Sequence, residues 1–154
     1  MLTVEQVLLK IVALVVDDNA DDQSLLALQL MGIGAKEVLT AKSGMEALTL
    51  LKARAQPVGM IVAEVRTPDG NGLQLLQALR CGQIKGMRPN ATFVLTTAQP
   101  AVGIIQTASA LDANGFLVKP VKAEKLEPVI LKARRTVFPP NFARHADVFI
   151  PEKF

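Results

Sequence analysis

Tryptophan and tyrosine are absent from this chain of 154 residues, cysteine and histidine occur once each, and the aromatic share is 4%, all of it phenylalanine. Each shortage excludes something. The single cysteine, Cys81, cannot close an intramolecular disulfide, and the single histidine, His145, lies too far along the chain to join it in a zinc constellation. Cys81 therefore reads as a structural thiol, and His145 as a surface residue of the tail. With no nucleophile elbow and no metal-binding histidine motif, a hydrolase of a familiar type is disfavoured. Long apolar runs are missing too. The longest, Ile11 to Val16, is bounded by Lys10 and Asp17, whereas crossing a bilayer takes roughly 20 apolar residues. The first ten residues carry Glu5 and lack a basic start or a small-residue cleavage site, so the cytoplasm is the expected compartment. The net charge is +3 and the pI about 9.2, yet no aromatic residues interleave with the basic ones. Lys132, Arg134 and Arg135 read instead as the solvated end of a helix, complementing its dipole. Neither a nucleic acid nor a membrane is expected as partner.

What is there is aliphatic: half of the residues are hydrophobic, enough to bury one substantial core at this length. Short aliphatic runs alternate with helix-period segments. Ile11–Val16, Glu37–Thr40, Met60–Ala63, Thr92–Thr96 and Gly115–Val118 read as strands. Helices are expected at Ala20–Met31, behind a capping box at Ser43-Gly44-Met45-Glu46, through Leu73, Leu76 and Leu79, at Val102–Leu111, and from Ala123 to Thr136. Pro128 conflicts with the last of these, implying a late start or an irregular first turn. Five strands each followed by a helix predict an α/β fold, a doubly wound parallel sheet covered on both faces. Such strands need no polar face, which accounts for the hydropathy.

In this fold ligands sit outside the carboxyl ends of the strands. The residues there are Asp17 and Asp18 after the first strand, Glu64 after the third, Thr96 and Thr97 after the fourth, and Lys119 after the fifth. Carboxylates brought together repel unless a cation relieves them, and hard oxygen ligands of this kind suit Mg²⁺. A lysine and a hydroxyl facing the same point can hold the oxygens of a phosphoryl group.

Taken in order, Val15-Val16-Asp17-Asp18-Asn19, Ser43-Gly44-x-Glu46-Ala47-Leu48, Pro68 with Gly72-Leu73, Thr97-Ala98 and Phe116-Leu117-Val118-Lys119-Pro120 resemble the receiver domain of two-component response regulators, the CheY-like fold. The resemblance covers roughly Leu9 to Thr136. It implies a (βα)5 flavodoxin-like sheet with strand order 2-1-3-4-5. It also implies Asp17 and Asp18 as the acidic pair for Mg²⁺, Glu64 as a third ligand, Thr97 as the switch hydroxyl, Lys119 as the phosphate-pairing lysine and Phe116 as the switch aromatic.

One position departs from the family. Where it places the phosphoaccepting aspartate, this chain has Glu64, and Thr67 replaces the methionine usual before Pro68. The extra methylene extends the carboxylate by about 1.5 Å, and a misplacement of about 1 Å can cost 100-fold in such chemistry. Glu64 is therefore expected to be a degenerate acceptor, and its longer anion, aimed at Thr97 and Lys119, to imitate a phosphorylated aspartate. Two alternatives stand beside this: a phosphorylatable, Mg²⁺-dependent receiver in a phosphorelay, and a crevice that binds a small anionic ligand.

Residues 1–9 read as an addition before a receiver domain at 10–136, and 137–154 as a tail holding four of the six phenylalanines: Phe138, Phe142, Phe149 and Phe154. The simplest expectation is that these anchor the tail on the domain. Otherwise they dock a partner or a second copy. The whole is expected to be a stand-alone signalling interaction module and not an enzyme. Its partners would be a histidine kinase, a phosphotransfer protein or a downstream target, and its regulation would pass through the face at Val102–Phe116.

Overall fold

A computed structural model describes residues 1–151. Five strands, β1 (Val12–Val16), β2 (Glu37–Ala41), β3 (Met60–Glu64), β4 (Thr92–Thr97) and β5 (Gly115–Val118), form one parallel sheet in the order β2-β1-β3-β4-β5. β3 and β4 are buried along their whole lengths, as strands covered on both faces must be. Among the described residues seven helices accompany them: α1 (Val4–Leu9), α2 (Ala20–Ile33), α3 (Gly44–Ala53), α4 (Gly72–Arg80), α5 (Val102–Ala110), α6 (Ala123–Arg135) and α7 (Phe142–Ala146).

The alternation of side chains along each strand divides the interior in two. Leu14, Val16, Ile61, Ala63, Phe93 and Leu95 point to the side packed by α3, α4 and α5, where Leu51, Leu73, Leu76, Leu79 and Ile104 close the core. Ala13, Val15, Met60, Val62, Val94 and Leu117 point the other way, against Leu26 and Leu30 of α2 and Leu126, Ile130 and Ala133 of α6. None of the helices described is long and apolar enough to cross a membrane.

Helix ends follow local chemistry. Asn19, Ser43 and Asn71 cap α2, α3 and α4 with their side-chain oxygens. Only the serine half of the expected box forms at α3, Ser43 Oγ accepting from Glu46 N at 3.1 Å. α2 runs two residues past its expected end and stops at Gly34, whose φ of 125° suits glycine. α6 does not start late. It passes through Pro128, and both Lys125 N and Leu126 N donate to the Lys122 carbonyl, so the irregularity lies in the first turn.

The termini correct three expectations. α1, capped by a Thr3–Gln6 box, packs on α6, with Leu9 buried. Arg134 is accordingly no solvated helix end: it is half-buried, and its Nε donates to Leu8 O at 3.0 Å. His145 is not on the surface but fully buried, its Nε2 2.9 Å from Asp112 Oδ2. α7 lies on α4, where Gln77 Nε2 donates to the carbonyls of His145 (3.0 Å) and Val148 (2.8 Å), and Arg144 pairs with Asp112. The phenylalanines are not the main anchors. Phe142 and Phe149 are exposed, whereas Val148 and Ile150 pack against the core; Phe154 lies outside the described residues.

Candidate functional site

The register of the sheet sets the depth of each polar residue. Glu64 pairs with Thr96, Thr97 with Val118, and Asp17 N donates to Ala41 O at 3.0 Å just past the last β1–β2 pair. By alternation Asp17, Glu64, Thr96 and Lys119 share the α2/α6 side of the sheet, while Thr97 follows Leu95 to the α4/α5 side.

On the first side the focus is the Lys119 ammonium. Its Nζ lies 2.7 Å from Asp17 Oδ2, 3.0 Å from Asp22 Oδ2 and 3.3 Å from Glu64 Oε2. Burial alone would lower the lysine pKa, but the close contacts with Asp17 and Asp22 and the charges of Glu64 and Asp17 outweigh it, holding the group well above its usual value. Asp17 is buried. Its Oδ1 accepts from Asn19 N at 2.9 Å, while the close approach of Oδ2 to the ammonium is an ion pair too poorly aligned for a hydrogen bond. Glu64, also buried, accepts from Thr96 Oγ1 at 3.2 Å. Burial raises its pKa, a shift that Lys119 opposes and the Asp17 charge reinforces.

The site thus brings together Asp17, Glu64 and Lys119, adds Asp22 from the first turn of α2, and leaves Asp18 exposed and outside these contacts. As arranged, Asp17 and Glu64 are engaged by Lys119 rather than open to a divalent cation. The Lys119 ammonium holds the focus among Asp17, Asp22 and Glu64 that an ion would need. A neighbouring cavity of ≈ 40 Å³, lined by Asp17, Leu26, Thr96 and Lys119, is large enough to admit water.

On the other side Thr97, fully buried, makes no hydrogen bond to Glu64 among the described residues. Its Oγ1 accepts from Arg66 Nη1 at 2.7 Å and from Gln99 N at 3.1 Å, and the same Arg66 nitrogen donates to Gln99 O at 3.0 Å. Arg66, missed in the sequence, ties the β3–α4 loop to the β4–α5 loop. A guanidinium two residues beyond the strand-end carboxylate was the available signal. Phe116 is half-buried against the core beside β4.

Glycines let the loops close. A Cβ on Gly72 would stand 2.5 Å from Glu64 O, so only glycine lets α4 begin against the end of β3. A Cβ on Gly44 would stand 2.6 Å from Gly70 O, where Gly44 N and Met45 N donate to the carbonyls of Gly70 and Asp69.

Residues 13–131 match the response regulator receiver domain family. The chain belongs to that family. The probable chemotaxis protein CheY of Rhizobium etli is 32% identical over 124 residues, covering 79% of this chain and 90% of that protein. The response regulator protein PilR of Pseudomonas aeruginosa is 32% identical over 123 residues, which span 80% of this chain but 26% of PilR. Among solved structures, chemotaxis protein CheY4 of Vibrio cholerae superposes with a TM-score of 0.69 at 25% identity, covering 80% of this chain and 98% of that one. The receiver domain of the Pseudomonas aeruginosa sensor histidine kinase PA1611, with magnesium in its active-site cleft, shares the fold at 19% identity and a TM-score of 0.68. This receiver sheet is therefore a two-component signalling domain, and receiver domains act as signalling modules that meet histidine kinases and downstream targets.

Proposed function

We propose that this receiver is a signalling interaction module whose state does not depend on phosphorylation, with Glu64 in place of the phosphoacceptor. The observation that supports the reading is the occupied carboxylate. Glu64 Oε2 already meets both the Lys119 ammonium and the Thr96 hydroxyl, two groups able to hold a phosphoryl oxygen. The Arg66 contact gives Thr97 a cationic donor of the chain's own, so the hydroxyl is held without a phosphoryl group. Signalling then passes through the face carrying Val102 and Ile105, both exposed, toward a protein partner or a second copy. Binding of Mg²⁺ is weakened because Asp17 and Glu64 are engaged by Lys119.

The test is incubation with acetyl phosphate and Mg²⁺ followed by intact-mass measurement. The wild type should gain nothing, whereas Glu64→Asp, one methylene shorter, should gain about 80 Da, one phosphoryl group. An adduct on the wild type overturns the reading in favour of a phosphorelay receiver.

A further inference from the structure

The amino ends of the strands, opposite the crevice, carry a second concentration of charge. Arg134 reaches from α6 beneath the sheet. Its Nε donates to Leu8 O at 3.0 Å, and its Nη1 to Gly59 O at 3.3 Å and Thr92 Oγ1 at 3.0 Å. All three acceptors are neutral, and Nη2 makes no hydrogen bond among the described residues. A half-buried guanidinium is ordinarily matched by a carboxylate. Here burial lowers the pKa of Arg134 and no acidic neighbour offsets it.

Beside Arg134 opens a cavity of ≈ 450 Å³ whose lining includes the polar residues Arg88, Asn90, Thr92, Arg134 and Thr136 and no carboxylate. Arg88 is exposed, and its guanidinium has no hydrogen bond or ion pair among the described residues. Glu5 and Glu37 already pair with other arginines, Arg135 at 2.9 Å and Arg54 at 3.3 Å. The volume lies in the range of small-ligand sites, roughly 300–1,000 Å³, and exceeds what a lone phosphate needs. Arginine forks match the paired oxygens of phosphate better than lysine does. The crevice at the carboxyl ends is the poorer host for an anion, since Asp17, Asp22 and Glu64 surround its one lysine.

We infer that this cavity binds a small phosphate-bearing oxyanion between Arg88 and Arg134. The inference stands apart from whether Glu64 is phosphorylated. The test is an amide chemical-shift titration of the full chain with pyrophosphate, inorganic phosphate and ribose 5-phosphate, at constant ionic strength set by KCl. The expected result is saturable shifts confined to residues 59, 86–92 and 134–137, with affinity reduced about tenfold in Arg88→Ala, an exposed change that leaves the fold intact. Arg134→Lys, which keeps the charge and loses the fork, should weaken binding as well. Tighter binding of ribose 5-phosphate than of inorganic phosphate assigns the site to an ester, and the reverse assigns it to the free ion. Shifts at residues 17–22, 64 and 119, unsaturated shifts, unchanged affinity in Arg88→Ala, or tighter binding of a polyglutamate peptide would each overturn the proposal.

Discussion

Two cations, Arg80 fully buried and Lys119 partly so, hold this receiver together in opposite ways. Arg80 is fully buried on α4, and its guanidinium donates to five neutral oxygens: the carbonyls of Leu111, Pro89, Ala91 and Asp112, and Asn114 Oδ1, at 2.7 to 3.1 Å. Lys119 faces three carboxylates. The first arrangement spreads one charge over main-chain dipoles that β4, its approach and the α5–β5 loop would otherwise leave unpaired. It fixes chain path and offers nothing to a ligand. The second gathers more negative charge than one ammonium cancels, a combination that chemistry can alter by protonation, substitution or a competing cation.

The sharpest way to break the contrast is Arg80→Met. It strands several buried acceptors at once and should cost about 3 kcal/mol or more, read from the urea midpoint. Lys119→Met should cost less, about 2 kcal/mol at neutral pH, because the carboxylates it leaves can take up protons. The deficit should shrink as pH falls toward 4, whereas that of Arg80→Met should not. If both deficits prove equally insensitive to pH, the distinction fails.

Glu64→Gln sharpens it further. The Glu64 pKa is raised from 4.5 in the folded protein, so its contribution to stability is fully present below that value and is lost as pH rises through the higher folded one. The melting temperature of Glu64→Gln relative to wild type should therefore climb between pH 4 and pH 7. Smallest in stability is Arg66→Met, less than about 1 kcal/mol for the partly exposed hydrogen bonds to Thr97 and Gln99. Its signature is kinetic: amides of Gln99 to Gly103 should exchange faster, while those of β1 and β3 stay protected.

The parts legible in the sequence are those where position along a strand decides geometry. Uninterrupted aliphatic runs gave the sheet, and Asp17, Glu64 and Lys119 each end or follow such a run, so their convergence followed from parallel strands. Asp22 was not legible because it joins Lys119 from a helix turn, across 97 positions of chain. Arg66 and Thr97 meet through two loops whose conformations no periodicity describes. His145 was misjudged for the same reason. Its partner Asp112 sits in the α5–β5 loop at a positive φ of 54°, and a polar residue near a chain end reads as exposed until a distant loop supplies its partner.

The seam between Gly44 and Gly70 carries one more implication. Two backbone bonds, Gly44 N to Gly70 O and Met45 N to Asp69 O, each 3.0 Å, rivet the loop that bears Arg66 to the head of α3. That loop cannot swing by itself: displacement either shears both rivets or turns α3 as a lever against β2 and α4. Mechanically, whatever tugs on Arg66 at the crevice is also a torque on the far flank of the domain.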